Sequence, residues 1–307
     1  MNLHTWEVAQ IVRTVLIGIA LLPAIILTAL IYRKPGAKHD HTRRWVDFTK
    51  IALGLWSLSY LLIFIAHVIS IVMVARQRQG SVRRPREYDA VPYLHAVASL
   101  FYVFSEIGIF LALFHLGHAL TQLRTGAVAD ESKAYRNGRK AVFGVSVLIA
   151  LLGLAVFAVM MVFNVMNSGL GHRSTYSDWD KVLKWNQVGS YIYLAKAIIW
   201  AIASFGIVCC VFKARKEAKN SPVHKAGSLL GFAAFIWLTS FTWALVDTIV
   251  RNFASYGMSM PYIDIFDVLI YTWAVFIVLA LLYTLAAKDA YGLSRTHYEV
   301  TKNERAA

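Results

Sequence analysis

Long apolar segments alternate with short charged segments along the chain. About 20 apolar residues cross the roughly 30 Å hydrocarbon layer of a bilayer as an α-helix, and each apolar run here is longer than that. The runs occupy residues 9–32, 48–74, 92–120, 141–166, 188–212, 226–250 and 263–287. The pattern predicts an all-α membrane protein, in which residues 1–287 form a seven-transmembrane helix bundle and residues 288–307 form a short tail.

The charges between the apolar runs predict the orientation of this bundle. Segments 33–50, 124–140, 213–225 and 288–307 together hold 20 Lys and Arg residues, against 9 on the opposite side. Basic residues concentrate in cytoplasmic loops, so we expect an outside or lumenal N-terminus and a cytoplasmic C-terminal tail. Five arginines within residues 76–86 oppose this bias locally. The membrane is either the endoplasmic reticulum or the plasma membrane.

Composition supports a protein that lies almost wholly within the membrane. Hydrophobic residues make up 58% of the chain and charged residues 16%, whereas soluble domains average about 45–50% and about 25%. The net charge of +14 is explained by basic residues that flank the predicted spans. We therefore expect the lipid bilayer, and no nucleic acid, as a partner. The sequence leaves the oligomeric state open.

The third span carries a stripe of polar side chains along one helix face. His95, Ser99, Tyr102 and Glu106 are spaced 4, 3 and 4 residues apart, which matches the helical repeat. Glu106 lies near the middle of the membrane, where an ionisable group is costly and therefore indicates function. A protonated carboxylic acid in an apolar site is a proton donor, so we expect Glu106 to be a catalytic acid.

Polar and aromatic residues on the other spans are predicted to lie at a similar depth. Asp247 and Asp267 are the further candidate catalytic residues. The candidate substrate-binding residues are His67, Tyr102, Asn164, Lys196, Trp200, Trp237, Asp264 and Tyr271. Together these residues predict a polar cavity with aromatic walls, open to the outer side, with Glu106 at its floor.

Some of these charges have a simpler structural interpretation. Buried ion pairs can hold transmembrane helices together, as Lys196 with Asp267, or Arg251 with Asp247 or Asp264, could do here. His115 and His118 are too few for a metal site, so no metal and no cofactor are expected. The seventh span has no lysine near its middle, which argues against a retinal Schiff base.

The leading functional hypothesis is an enzyme that acts on a lipophilic small molecule. Aromatic faces stabilise a desolvated cation by about 0.5–2 kcal/mol each. An acid with aromatic walls suits acid-initiated carbocation chemistry, in which a terpenoid-type substrate is cyclised or isomerised. In size, topology and this chemistry the chain resembles the small membrane-bound, seven-helix terpene cyclases of fungal meroterpenoid pathways. The resemblance is one of architecture and assigns no residue.

Two other functions fit the same seven spans. A heptahelical receptor or sensor predicts a cleft between the inner ends of the third, fifth and sixth helices, although the loops predicted to be cytoplasmic are short. An exporter of lipids or small molecules predicts a lateral opening to the bilayer, although no internal repeat is visible. An enzyme predicts a closed cavity that contains Glu106 and either Asp247 or Asp267.

Overall fold

The structure, a computed structural model, describes residues 3–38, 41–78, 89–125, 133–169, 176–217, 224–252 and 261–287. These residues form helices and short turns, and no strand occurs among them. The predicted tail, residues 288–307, and residues 79–88 of the arginine-rich segment lie outside the described residues.

Besides a short 3₁₀ helix at His41–Arg43, the described residues form eight α-helices and one π-helical segment. They are α1 (Leu3–Tyr32), α2 (Arg44–Arg78), α3 (Ala90–Thr125), α4 (Lys133–Gly169), α5 (Tyr176–Glu217), α6 (His224–Asn252), α7 (Pro261–Asp267), the π segment (Val268–Ala274) and α8 (Val275–Ala287). The seventh span comprises α7, the π segment and α8. We define the first face of the bundle as the end where α1, α3, α5 and α7 begin, and the second face as the opposite end.

The described chain has the architecture of a multi-pass membrane protein. Seven helical stretches within it are long and apolar enough to cross a membrane. Large apolar side chains also cover the outside of the bundle, among them Leu22, Phe143 and Ile202, which are more than half exposed. Contiguous apolar surface of this kind is costly in water and suits contact with lipid. The predicted seven-helix membrane fold is confirmed to this extent.

Helices α2 and α3 form the most extensive contact of the bundle. Ser59 Oγ donates a hydrogen bond to the Ala98 carbonyl at 2.7 Å, and Ser105 Oγ donates one to the Ala52 carbonyl at 2.8 Å. Both hydroxyls are fully buried, and one donor comes from each helix. Gly108 lies against Ala52, so close that an added Cβ would be 2.9 Å from the Ala52 Cβ. Small residues allow such close approach of transmembrane helices.

Helix α5 begins before the predicted span. We predicted this span to start at residue 188, whereas α5 begins at Tyr176. The extension is polar and carries an ion pair between Lys184 Nζ and Asp180 Oδ2 at 2.7 Å. Pairs of opposite charge four residues apart stabilise a helix, which the apolar-run criterion does not detect.

The seventh span differs from the regular helix that its apolar pattern predicts. Its π segment shifts the backbone hydrogen bonds, and such segments occur frequently at functional sites. Two carbonyls there accept hydrogen bonds from other helices: Tyr102 Oη donates to the Tyr271 carbonyl at 3.3 Å, and Ser240 Oγ donates to the Ile270 carbonyl at 3.4 Å. The donors from α3 and α6 thus satisfy backbone oxygens away from water, as a membrane interior requires.

Candidate intramembrane site

Glu106 lies near the midpoint of α3 and is almost completely buried, with 4% of its surface exposed. Trp200 Nε1–H donates a hydrogen bond to Glu106 Oε2 at 3.1 Å. Lys196 Nζ lies 4.0 Å from the same oxygen and forms an ion pair with it. The carboxyl group is therefore held from α5 by one ammonium group and one indole. We call Glu106, Lys196 and Trp200 the Glu106 site.

The local geometry of α5 explains why these two partners act together. Lys196 and Trp200 are four residues apart, so both side chains project from one helix face. Lys196, for which a pair with Asp267 was one structural interpretation, pairs with Glu106 instead, because α5 presents this face to α3 at the depth of Glu106. The sequence gives the depth of each residue but not the rotation of each helix.

Tightly packed aromatic rings surround the Glu106 site. The Trp200 ring lies 5.4 Å from Phe110, 6.1 Å from Trp237 and 4.8 Å from Phe241, measured between ring centroids. Trp200 and Trp237 have no accessible surface, so neither lines a space that would admit water. The predicted aromatic wall is therefore closed around Trp200 and Trp237 in this structure. Exclusion of water strengthens the electrostatic interactions of Glu106.

A second aromatic group connects α2, α3 and the π segment. The ring of Tyr60 lies 4.3 Å from that of Trp56 and 5.9 Å from that of Tyr102. Tyr102 in turn donates to the Tyr271 carbonyl. The structure thus brings the Tyr102 hydroxyl to the Tyr271 backbone, a contact that the polar stripe within the third span did not predict.

The three candidate aspartates gather around Arg251 near the first face. Arg251 forms ion pairs with Asp247, with Asp264 at 3.2 Å between Nη1 and Oδ1, and with Asp267. Trp243 Nε1–H donates to Asp267 Oδ1 at 2.9 Å. The structural interpretation, in which Arg251 pairs with Asp247 or Asp264, agrees with this geometry, and Arg251 pairs with both of them and with Asp267. This geometry gives the aspartates a role in joining α6 to α7.

The two remaining candidate residues lie apart from Glu106. His67 is buried and packs edge to face against His95, with ring centroids 5.7 Å apart. Asn164 lies on α4 and lines a cavity between α3, α4 and α5 that is also lined by Asn252 at the end of α6. This cavity has a volume of about 300 Å³. We call it the α3–α5 cavity.

One aromatic side chain contacts both the α3–α5 cavity and the Glu106 site. Tyr193 lines the cavity, and its hydroxyl lies 3.4 Å from Met160 Sδ on the cavity wall. Lys196 Nζ lies 5.6 Å from the centroid of the Tyr193 ring. Tyr193 therefore connects the cavity with the ammonium group that contacts Glu106. The two residues are three positions apart and share one face of α5.

Comparison with known proteins gives no relative from which a function could be transferred. No protein-family model, no curated protein and no solved structure matches the chain significantly. The resemblance to fungal meroterpenoid cyclases stays a prediction, and the geometry of this chain carries the functional argument.

Proposed function

We propose that this protein is a membrane-embedded enzyme that cyclises or isomerises a lipophilic, terpenoid-type substrate by proton transfer at Glu106. The observation that carries the proposal is the Glu106 site itself. A carboxyl group in the middle of a bilayer is costly to maintain, and two side chains of α5 are committed to holding this one. A purely structural contact between α3 and α5 needs no ionisable group at that depth.

The chemistry requires one group that alternates between acid and base. Glu106 in its protonated form donates a proton to a double bond or an epoxide oxygen of the substrate. The cation rearranges, and the Glu106 carboxylate then accepts a proton from a neighbouring carbon, so that substrate and product have equal mass. Lys196 stabilises the carboxylate in the second state, and Tyr102 and Trp200 offer π faces to the cation.

Substrate access is the step that this arrangement constrains most. Trp200 has no accessible surface, and Tyr193 contacts both the cavity and Lys196. In this proposal the substrate reaches Glu106 from the cavity when the Tyr193 side chain moves. The α3–α5 cavity is in this proposal the binding site from which the substrate enters. Asp247, Asp264 and Asp267 then contribute by fixing the first-face ends of α6 and α7 through Arg251.

The proposed orientation places the α3–α5 cavity on the outer or lumenal side. The excess of basic residues in the segments at the second face supports a cytoplasmic second face. The endoplasmic reticulum and the plasma membrane are both compatible with this arrangement. In either membrane the bilayer itself supplies the lipophilic substrate.

The test compares metabolites in the source organism after deletion of the gene and complementation with variants. Deletion is expected to accumulate a linear prenylated precursor, and the wild-type gene to restore a product of equal mass. Glu106→Gln, which keeps the side-chain shape but cannot donate a carboxylic proton, is expected not to restore it. Asp180→Asn, at an exposed position of α5, is the matched control and is expected to restore the product.

The enzyme proposal fails on either of two results. One is a deletion strain whose metabolites equal those of the wild type. The other is Glu106→Gln complementing as fully as wild type when both proteins reach the same membrane level. Equal membrane levels are required because a misfolded variant would also fail to complement.

A second candidate function, a receptor-like sensor, is favoured by one observation. A cavity of about 240 Å³, lined by residues of α5 and α6 that include Arg215, Lys216 and His224, lies at the second face. Spin labels at Lys216 and His224 would test it in the purified protein. A sensor predicts that lipid extract of the source organism changes the distance between the labels, and an enzyme predicts a constant distance with product formation.

A further inference from the structure

The described residues that line the α3–α5 cavity carry no carboxylate, no ammonium and no guanidinium group, and their one imidazole, that of His95, packs against His67. This contrasts with the rest of the first face, where Arg251 and three aspartates cluster on α6 and α7. An ionised ligand placed in the cavity would lose its hydration without gaining a countercharge, which is strongly unfavourable. The wall therefore selects for a neutral ligand.

Most polar groups of the cavity lie toward its first-face end, and the Tyr193 hydroxyl, beside Met160 Sδ on the deeper wall, is the exception. Asn164 is near the end of α4, Asn186 and Ser190 are near the beginning of α5, and Asn252 ends α6. The deeper wall of α4 consists of apolar side chains, namely Val156, Val159, Met160 and Phe163. From Val156 to Asn164 the helix rises about 12 Å at 1.5 Å per residue. The cavity thus has a polar mouth and an apolar interior about 12 Å deep.

The hydrogen bonds at the mouth define what the polar end of a ligand must offer. Asn252 Nδ2 donates to the Thr248 carbonyl at 3.1 Å, and Ser190 Oγ donates to the Asn186 carbonyl at 3.1 Å. One amide hydrogen of Asn252 and the hydroxyl hydrogen of Ser190 are therefore engaged. Asn164 Nδ2 is buried and has no hydrogen-bond partner among the described residues. A buried amide hydrogen without an acceptor is costly, and Asn164 also lines the cavity. Rotation of its side chain toward the cavity would let a ligand oxygen satisfy this hydrogen.

We propose that the α3–α5 cavity binds a neutral amphiphile whose oxygen-bearing head accepts a hydrogen bond from Asn164. The head is an alcohol, aldehyde, ketone or ester, and the apolar body extends about 12 Å along α4 toward Tyr193. A volume of about 300 Å³ is at the lower end of the range of about 300–1,000 Å³ for small-molecule sites. This proposal names the substrate class of the proposed enzyme and rests on that function only for the step after binding.

Photo-crosslinking in lipid nanodiscs tests the proposal. The probe is a ten-carbon alcohol that carries a diazirine on its chain, and mass spectrometry locates the labelled residues. Labelling is expected within residues 156–164 and 186–193. Unlabelled 1-decanol is expected to compete with the probe, whereas decanoate and decyltrimethylammonium, which have charged heads, are expected not to compete.

Two variants separate specific binding from partition of the probe into lipid. Asn164→Leu removes the unpartnered donor and is expected to lower labelling about three- to tenfold, the usual range for one hydrogen bond. Phe143→Leu, on an exposed surface of the same helix, is the matched control and is expected to label like wild type.

The outcomes distinguish this proposal from the enzyme proposal. Uniform labelling of lipid-facing helices, or equal competition by decanoate, would overturn the binding site. Unchanged labelling of Asn164→Leu would overturn the role of its amide. Glu106→Gln is expected to bind the probe like wild type, so a protein that binds the alcohol but forms no product retains the cavity and loses the proposed catalysis.

Discussion

Trp200 and Trp237 are two buried indoles in the same aromatic packing, and they differ in one interaction. Both lack accessible surface, and both contact Phe241, at 4.8 Å and 4.6 Å between ring centroids. Trp200 Nε1–H donates to Glu106, whereas Trp237 Nε1 has no hydrogen-bond partner among the described residues. The pair therefore isolates the hydrogen bond to Glu106 from the packing of the indole ring.

Replacement of each indole by phenylalanine is expected to have unequal effects. Both substitutions remove similar volume, but only Trp200→Phe leaves a buried carboxylate short of a donor. Hydrogen bonds to charged groups contribute about 1.5–3 kcal/mol. Trp200→Phe is therefore expected to lower the unfolding free energy by about 1–3 kcal/mol more than Trp237→Phe. Unfolding of the purified protein by sodium dodecyl sulfate in mild detergent measures this difference. Equal losses would show that Glu106 does not depend on the indole.

For single residues, the sequence predicted the position along each helix better than it predicted the contacts between helices. The stripe through Tyr102 and Glu106 and the pair Asp247–Arg251 follow from helical spacing within one span. The contact between Glu106 and Lys196 depends on how α3 and α5 are rotated toward each other, which spacing within a single helix does not determine. For the same reason the sequence did not predict that Tyr193 contacts both the cavity and Lys196.

At the scale of the helices, close approach of α2 and α3 depends on Gly108. An added Cβ would lie 2.9 Å from the Ala52 Cβ and 3.2 Å from its Cα, and the backbone of α2 cannot move without breaking the Ser59 and Ser105 hydrogen bonds. Gly117, on the same helix, has no atom within 4 Å of the corresponding position. An alanine at position 108 would therefore change both the packing and the helix propensity, whereas an alanine at position 117 would change the helix propensity alone.

Gly108→Ala is expected to destabilise the protein, and Gly117→Ala is expected to leave it unchanged or more stable. Overpacking costs about 1–3 kcal/mol, whereas alanine in a helix interior is about 1 kcal/mol better than glycine. The temperature at which half of the detergent-solubilised protein aggregates is a sufficient measurement. If both variants shift it in the same direction, the close contact of α2 with α3 is not what limits stability.

The existence and order of the seven spans could be predicted because apolar length is a property of each segment alone. The early start of α5 could not be predicted in this way, because it depends on charge pairs outside the apolar run. The π segment could not be predicted either, because it depends on contacts with α3 and α6. Tyr102 and Ser240 donate to the carbonyls of Tyr271 and Ile270. Those contacts exist only in the folded bundle.

At the scale of the whole molecule, orientation decides from which side a ligand reaches the α3–α5 cavity. The polar lining residues Asn186 and Asn252 lie toward the first face. In the orientation proposed from the loop charges, the second face is cytoplasmic and this polar end of the cavity, its proposed mouth, is lumenal or extracellular. A substrate or signal molecule then enters from the side opposite to the cytoplasm, or from the lipid leaflet on that side.

Labelling of single cysteines tests this orientation in sealed vesicles whose cytoplasmic surface faces outward. Cys209 and Cys210 are the only cysteines of the chain, and their replacement by serine provides the background. Lys140→Cys, at an exposed position near the second face, is expected to react with a membrane-impermeant maleimide. Lys184→Cys, at an exposed position near the first face, is expected to react only after the vesicles are permeabilised. The reverse pattern would place the mouth of the cavity in the cytoplasm, and the five arginines of residues 76–86 would then count with the cytoplasmic charges.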